Sequence, residues 1–299
     1  MTSYYNDQTI LYLNGSYVKA NEAKVDLYSQ SIHYGYAVFE GIRSYRTAND
    51  RTRIFKAEEH FQRLKKSSEA LNIPYPYEAE ELISVSYELL KQNKLQNAYI
   101  RPLVYSPANM GFTRNTESFL TIQVWEMGNF LGDQLLKVMT SSFERPNPRA
   151  FKMEAKAAGH YVNSIMASQD AKAKGYDEAL LNDVNGFVAE APGANMFFEK
   201  NGKLYTPPLG NILPGITRAT VLEICRELEI PVEEKFFKTA ELYEAETAFF
   251  CGTAAEVIGW ASLDGIPFRK DWNTTVGKII QEAYKARITE KEFKPALAF

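Results

Sequence analysis

Between residues 56 and 71 the apolar side chains Phe61, Leu64 and Leu71 recur at helical spacing ahead of Pro74, and Leu82, Val85 and Leu89 repeat the pattern across 78–92. Steps of three and four place such side chains on one face, so each stretch predicts an amphipathic helix. Strands surround them. Leu120, Ile122 and Val124 alternate with Thr121 and Gln123 over 119–125, residues 99–105 form an apolar extended run, and 11–17 contains the hairpin dipeptide Asn14-Gly15. The pattern lapses over 126–133, where Gly128 and Gly132 fall, and a new strand is expected at 137–141. Beyond it the chain predicts a helix over 161–174 closed by Gly175, a hairpin across Asp183 to Gly186 and a strand over 187–190. A second hairpin follows at Asn201-Gly202, then a helix opened by Pro214-Gly215 with Val221, Leu222 and Cys225 along one face and Pro231 beyond its end.

Mixed strands and helices over 299 residues predict an α+β protein of two domains. The expected division is a small N-terminal α/β domain over 1–127, an interdomain loop over 128–138 and a larger C-terminal domain over 139–299. A net charge of −3 with interspersed signs offers no basic stripe, so the 18 Tyr and 18 Phe are assigned to core and pocket walls and not to nucleic acid. The N-terminus lacks a basic-then-apolar leader and no run reaches the length of a membrane span, so a cytoplasmic protein is expected. Cys225 and Cys251 are isolated and expected as buried free thiols, and His33, His60 and His160 show no ligand spacing. No metal is expected.

The chemistry concentrates in two runs: Glu154-Ala-Lys156-Ala-Ala-Gly-His-Tyr161-Val-Asn-Ser164 and Glu190-Ala-Pro-Gly-Ala-Asn195. A lysine among small residues leaves room for a ring against the backbone, and its amine can form a Schiff base with a carbonyl cofactor. A carboxylate at a strand end, as Glu190 is expected to be, can raise the basicity of a pyridine nitrogen. Tyr161 can hydrogen-bond a phenolic oxygen. Gly215-Ile216-Thr217, at a helix start, and Gly252-Thr253-Ala254-Ala255 are two turns able to cradle a phosphate. Each residue has a plainer reading: a solvated lysine, a strand-end acid, a core tyrosine and, for Arg63, a helix-surface ion pair with Glu59 at i, i+4.

Taken together, Lys156 to Ser164, Glu190 to Asn195, Leu213-Pro-Gly-Ile-Thr217-Arg218 and Cys251-Gly252-Thr253-Ala254-Ala255-Glu256 resemble the class IV (fold type IV) pyridoxal phosphate aminotransferases, in order over nearly the whole chain. Within that class His33-Tyr34-Gly-Tyr-Ala-Val-Phe39-Glu40-Gly41-Ile-Arg43 and Tyr99-Ile-Arg101-Pro-Leu103 resemble the branched-chain amino acid aminotransferases. The resemblance implies a D-amino acid aminotransferase-like fold with mixed and antiparallel sheets. It implies pyridoxal 5'-phosphate on Lys156, which doubles as proton shuttle, with Glu190 at the ring nitrogen and Tyr161 at the phenolic oxygen. Arg63, Gly215, Ile216, Thr217, Gly252 and Thr253 would hold the phosphate. Tyr99 and the amides of Thr253 and Ala254, with Ala255 next to them, would take the substrate α-carboxylate, and Arg101 the second carboxylate of glutamate. Phe39, Gly41, Tyr34, Met127, Phe130 and Tyr161 would line the apolar side.

The implied reaction transfers the amino group of leucine, isoleucine or valine to 2-oxoglutarate in a ping-pong cycle. Partners would be these small molecules and at least one further copy of the chain, with the cofactor near the domain boundary. Met127 and Phe130 stand where the bacterial pattern has Trp and Tyr, which predicts more tolerance of bulky apolar substrates. Other readings are a D-amino acid aminotransferase, an (R)-amine transaminase, an aminodeoxychorismate lyase or a non-catalytic relative. Arg101 and the run Phe39 to Arg43 argue against the first three, and intact Lys156, Tyr161 and Glu190 against the last.

Overall fold

The computed structural model describes residues 4–128 and 130–293. They fall into two compact units: the chain up to Gly128 together with Ala155–His160, and the remainder. The Lys156 segment thus groups with the first unit, whereas the sequence reading placed it inside 139–299. Its backbone explains why. Phe39 N donates to Lys156 O at 3.1 Å and Gly159 N to Gly35 O at 3.1 Å. Lys156 N in turn donates to Ser67 Oγ at 3.0 Å.

In the first unit the order is β1 (Ile10–Leu13), β2 (Ser16–Lys19), α1 (Gln30–Tyr34), β3 (Ala37–Phe39), β4 (Ile42–Arg46), β5 (Thr52–Ile54), α2 (Ala57–Ala70), α3 (Ala79–Gln92), β6 (Ala98–Tyr105) and β7 (Phe119–Glu126). The sheet order is β2-β1-β7-β6-β4-β5, antiparallel throughout, with β3 also on β6. Asn14 and Gly15 both take positive φ, 47° and 90°, as a two-residue turn requires. Phe61 and Leu64 of α2, and Leu82, Val85 and Leu89 of α3, pack with Ile100, Val104, Leu120, Ile122 and Val124 in one core. The residues that carry the sequence periodicity are buried, except Leu71, which is half-buried against the same core. Since strand side chains alternate, committing Ile100 and Val104 to that core turns Tyr99 and Arg101 to the opposite face.

The second unit runs β8 (Leu136–Glu144), α4 (Tyr161–Ala173), β9 (Glu178–Asn182), β10 (Val188–Glu190), β11 (Asn195–Lys200), β12 (Lys203–Thr206), α5 (Ile216–Glu227), β13 (Val232–Glu234), α6 (Thr239–Leu242), β14 (Thr247–Gly252), β15 (Glu256–Leu263), β16 (Ile266–Pro267) and α7 (Val276–Thr289). Its sheet order is β10-β9-β8-β15-β14-β11-β12-β13, with β16 on β15. The pairs β8–β9, β8–β15 and β12–β13 are parallel, the other pairs antiparallel. Met196, Phe198, Phe237, Phe250 and Trp260 centre one core, and Met139 packs with Ala167 and Ala171 of α4 in another. Cys225 and Cys251 are buried and free. Burial pushes the Cys225 thiol up to about 12.

Candidate active site

In the first unit Lys156 follows the buried Ala155, and its Nζ lies 5.0 Å from the Phe39 ring centroid. The Arg101 guanidinium lies 4.7 Å from the same ring, 5.2 Å from that of Tyr99 and 5.7 Å from that of Trp125. Its Nη2 reaches Tyr99 Oη at 3.5 Å, and its buried Nε has no hydrogen-bond partner. Among the described residues no carboxylate pairs with Arg101. Tyr99 and Trp125 are register partners on β6 and β7, their ring centroids 5.1 Å apart. Trp125 belongs to this aromatic wall although the sequence reading did not assign it. Gly41 is required by the close approach of Tyr99: a Cβ there would sit 1.8 Å from Tyr99 Oη. Lys156, Phe39, Gly41, Tyr99 and Arg101 are therefore brought together.

Arg63 is not paired with Glu59. Its Nε and Nη2 grip Glu40 Oε1 and Oε2 at 2.6 and 2.9 Å, while Glu59 pairs with Lys56 at 3.0 Å. Glu40 is wholly buried, and His60 Nδ1 stands 2.7 Å from its Oε2. Burial would raise the Glu40 carboxyl, but Arg63 and then His60 outweigh it and hold the group well below the usual carboxylate range. Burial pushes His60 down, opposed by Glu40 and reinforced by Arg63 and Lys156. The sequence pattern gives neither Glu40 nor His60 a partner. Only the fold shows that the turn after β3 presents its acid to α2.

Tyr34 and Met127, also expected on the apolar wall, have contacts of their own. Tyr34 is 45 % exposed, its ring against Phe112 at 5.3 Å and its hydroxyl donating to Met110 O. Met127 is half-buried, and its carbonyl accepts from Arg43 Nη2 at 3.1 Å.

In the second unit Glu190 ends β10 and is buried, against the strand-end reading that would leave it solvated. Arg145 Nε is 3.0 Å from its Oε1, off the hydrogen-bond direction, so this contact is ionic. Asn195 Nδ2 donates to Oε2 at 2.9 Å, and Leu213 N donates to both oxygens at 3.1 and 3.2 Å. Gly215 caps α5 with extended backbone and no side-chain cap. A Cβ at Gly215 would lie 1.9 Å from Asn195 Oδ1, so only glycine lets the helix start come this close to the Glu190–Asn195 pair. The first-turn amides at Ile216 and Thr217 have no acceptor within the helix, which suits an anion. Gly252 ends β14 and packs against Gly193 and Ala194, so the turn Thr253-Ala254-Ala255 and the turn after Glu190 are neighbours. Tyr161 opens α4, half-buried; Phe130 is 59 % exposed and shares a cleft with Ala255 and α7. Arg145 escaped the sequence reading because no local pattern marks it. Among the described residues no group of three or more His, Cys, Asp or Glu is placed to hold a metal.

The first unit thus holds a lysine amine and a guanidinium near one aromatic ring, and the second a buried, pinned carboxylate and an uncapped helix start. A family model described as amino-transferase class IV matches residues 37–263. The chain is 36 % identical over 283 residues to a branched-chain-amino-acid aminotransferase of Salmonella typhimurium, covering 92 % of this chain and 91 % of that protein. The solved branched-chain aminotransferase of Thermoproteus uzoniensis with norvaline superposes with a TM-score of 0.91 at 36 % identity, covering 95 % of this chain and 96 % of that one. A T.th. branched-chain amino acid aminotransferase complexed with N-(5'-phosphopyridoxyl)-L-glutamate gives 0.89 at 34 % identity, covering 95 % of each. The chain belongs to the class IV aminotransferases.

Proposed function

We propose that the protein is a pyridoxal 5'-phosphate-dependent aminotransferase that moves the amino group of L-leucine, L-isoleucine or L-valine to 2-oxoglutarate, releasing branched-chain 2-oxo acids and L-glutamate. The observation that carries the reading is the placement of the Lys156 amine and the acid-free Arg101 guanidinium over the single ring of Phe39. The amine suits a reacting carbonyl, and the guanidinium suits a carboxylate in an apolar wall. The relatives' names point to branched-chain substrates, and the ligand in the T.th. complex joins a phosphopyridoxyl group to glutamate.

The residues fit the cofactor on two counts: the uncapped start of α5 beside a glycine that admits no Cβ, and the buried Glu190 carboxylate. When bound, pyridoxal phosphate supplies a carbonyl that accepts amines and a protonated ring that draws electron density from the substrate α-carbon. Lys156 Nζ would hold that carbonyl, and its amine is the group that would move the α-proton. Glu190 would favour a protonated ring nitrogen, and Tyr161 would donate to the phenolic oxygen. Arg63, the amides of Ile216 and Thr217, and Thr253 hold the phosphate, with Gly215 and Gly252 leaving room for it. Tyr99 and the amides of Thr253 and Ala254 orient the α-carboxylate. Arg101 receives the second carboxylate of glutamate, whereas a branched aliphatic chain lies along Phe39 and its neighbours.

The enzyme is cytoplasmic in this reading, and it works as a homodimer or higher homo-oligomer. Among the described residues no helix is long and apolar enough to cross a membrane. Exposed apolar side chains, Tyr34 and Phe112 in one unit and Val162, Ile165 and Met166 on α4 in the other, support self-association. An assay with L-leucine and 2-oxoglutarate should yield glutamate, D-alanine should be a poor donor, and Lys156→Ala should abolish turnover. D-alanine as the better donor, or full turnover by the Lys156→Ala variant, would overturn the reading.

A further inference from the structure

We infer that Arg145 is a positioning residue acting through Glu190: with Asn195 it holds the carboxylate ionised, so that the proton between Glu190 and the cofactor's pyridine nitrogen rests on the nitrogen. This rests on the cofactor reading above and adds what decides the proton's place.

The geometry makes Arg145 part of the frame. It follows β8 directly, its backbone N donates to Asn182 O at 2.8 Å, and Asn182 ends β9. Glu190 lies on β10, paired with Leu181 of β9. Acid and arginine are thus fixed by neighbouring strands, with side chains only 5 % and 8 % exposed. At 3.0 Å and off the hydrogen-bond direction, the guanidinium acts on Oε1 by its charge, which counts for more where water is excluded.

Asn195 adds a polarity lock. Its Nδ2 donates both to Glu190 Oε2 at 2.9 Å and to Leu213 O at 3.0 Å. Held in that orientation by the Leu213 carbonyl, the amide presents a donor to Glu190, and a donated hydrogen bond stabilises the carboxylate more than the acid. Leu213 N, donating to both Glu190 oxygens, likewise favours the carboxylate form.

A shared proton has two resting places, carboxylic acid beside neutral pyridine or carboxylate beside pyridinium. A cation touching the carboxylate stabilises the second state more than it opposes the ring's positive charge, because it is in contact with the acid. Only the pyridinium is a strong electron sink. Arg145 therefore governs the sink without touching the reacting atoms.

The test loads wild type, Arg145→Met, Arg145→Gln and Arg145→Lys with pyridoxal phosphate labelled with 15N in the ring and reads the nitrogen resonance. Arg145→Met and Arg145→Gln should move it toward the unprotonated position and lower kcat by about tenfold or more. Arg145→Lys should keep it near the protonated position. A structural role alone would lower the melting temperature of all three variants without moving the resonance. A protonated ring in either neutral variant, or an unprotonated ring in wild type, overturns the inference while leaving the cofactor reading intact. Failure of wild type to take up the cofactor removes that reading and this inference together.

Discussion

Arg101 meets three aromatic faces and a tyrosine hydroxyl, and the proposed function gives it the second carboxylate of glutamate as a partner. A hydrogen bond to a charged group contributes about 1.5–3 kcal/mol, so Arg101→Met should lower kcat/KM for 2-oxoglutarate by roughly 10- to 100-fold. The leucine half-reaction should suffer much less. Single-turnover rates for each half-reaction measure the difference, and equal losses would remove the second-carboxylate role. Gly41→Ala should damage both half-reactions, since the new methyl must displace the Tyr99 hydroxyl. Lys156, Glu190 and Arg101 could be picked from the sequence because each lies in a compact motif of suitable chemistry. Glu40 lies inside the run Phe39 to Arg43, but its role, like those of His60 and Arg145, depends on partners far along the chain: Glu40 is 20 residues from His60 and 23 from Arg63.

Elements with a clean period were legible. α2, α3 and β7 follow the apolar spacing, and the Asn14-Gly15 and Asn201-Gly202 hairpins follow turn chemistry. β14 is a continuously buried run whose side chains show no alternation of polarity, and β3 and β5 have three residues each, so pattern alone did not mark them. α7 also escaped, its sequence placing Gly277 and two isoleucines near its start. At this scale the Glu40–Arg63 grip joins the turn after β3 to α2. Arg63→Met leaves a buried carboxylate without its strongest partner and should cost about 3–5 kcal/mol of stability, read as a lower urea midpoint. The double variant Glu40→Gln with Arg63→Met should cost less than the two single losses added. Simple additivity would show that the pair does not act as a unit.

For the whole molecule the same cluster sets a pH dependence. His60 and Glu40 both have folded values below their unfolded ones, so their contribution is present above the unfolded values and lost as pH falls. Stability should therefore decline first below about pH 6.5, where an unfolded histidine gains its proton, and again below about 4.3 as carboxylates protonate. Urea midpoints should be higher at pH 8 than at pH 5.5, and His60→Gln should flatten that interval; an unchanged slope would assign the acid sensitivity elsewhere. Sedimentation should find at least a dimer at catalytic concentrations, and a fully active monomer would contradict the proposed assembly. The most direct test of the claim that Lys156 carries the cofactor is borohydride reduction of the pyridoxal phosphate-loaded protein followed by peptide mass mapping. A phosphopyridoxyl group on Lys156 alone is the predicted result; its absence, or its attachment to another lysine, would contradict the account.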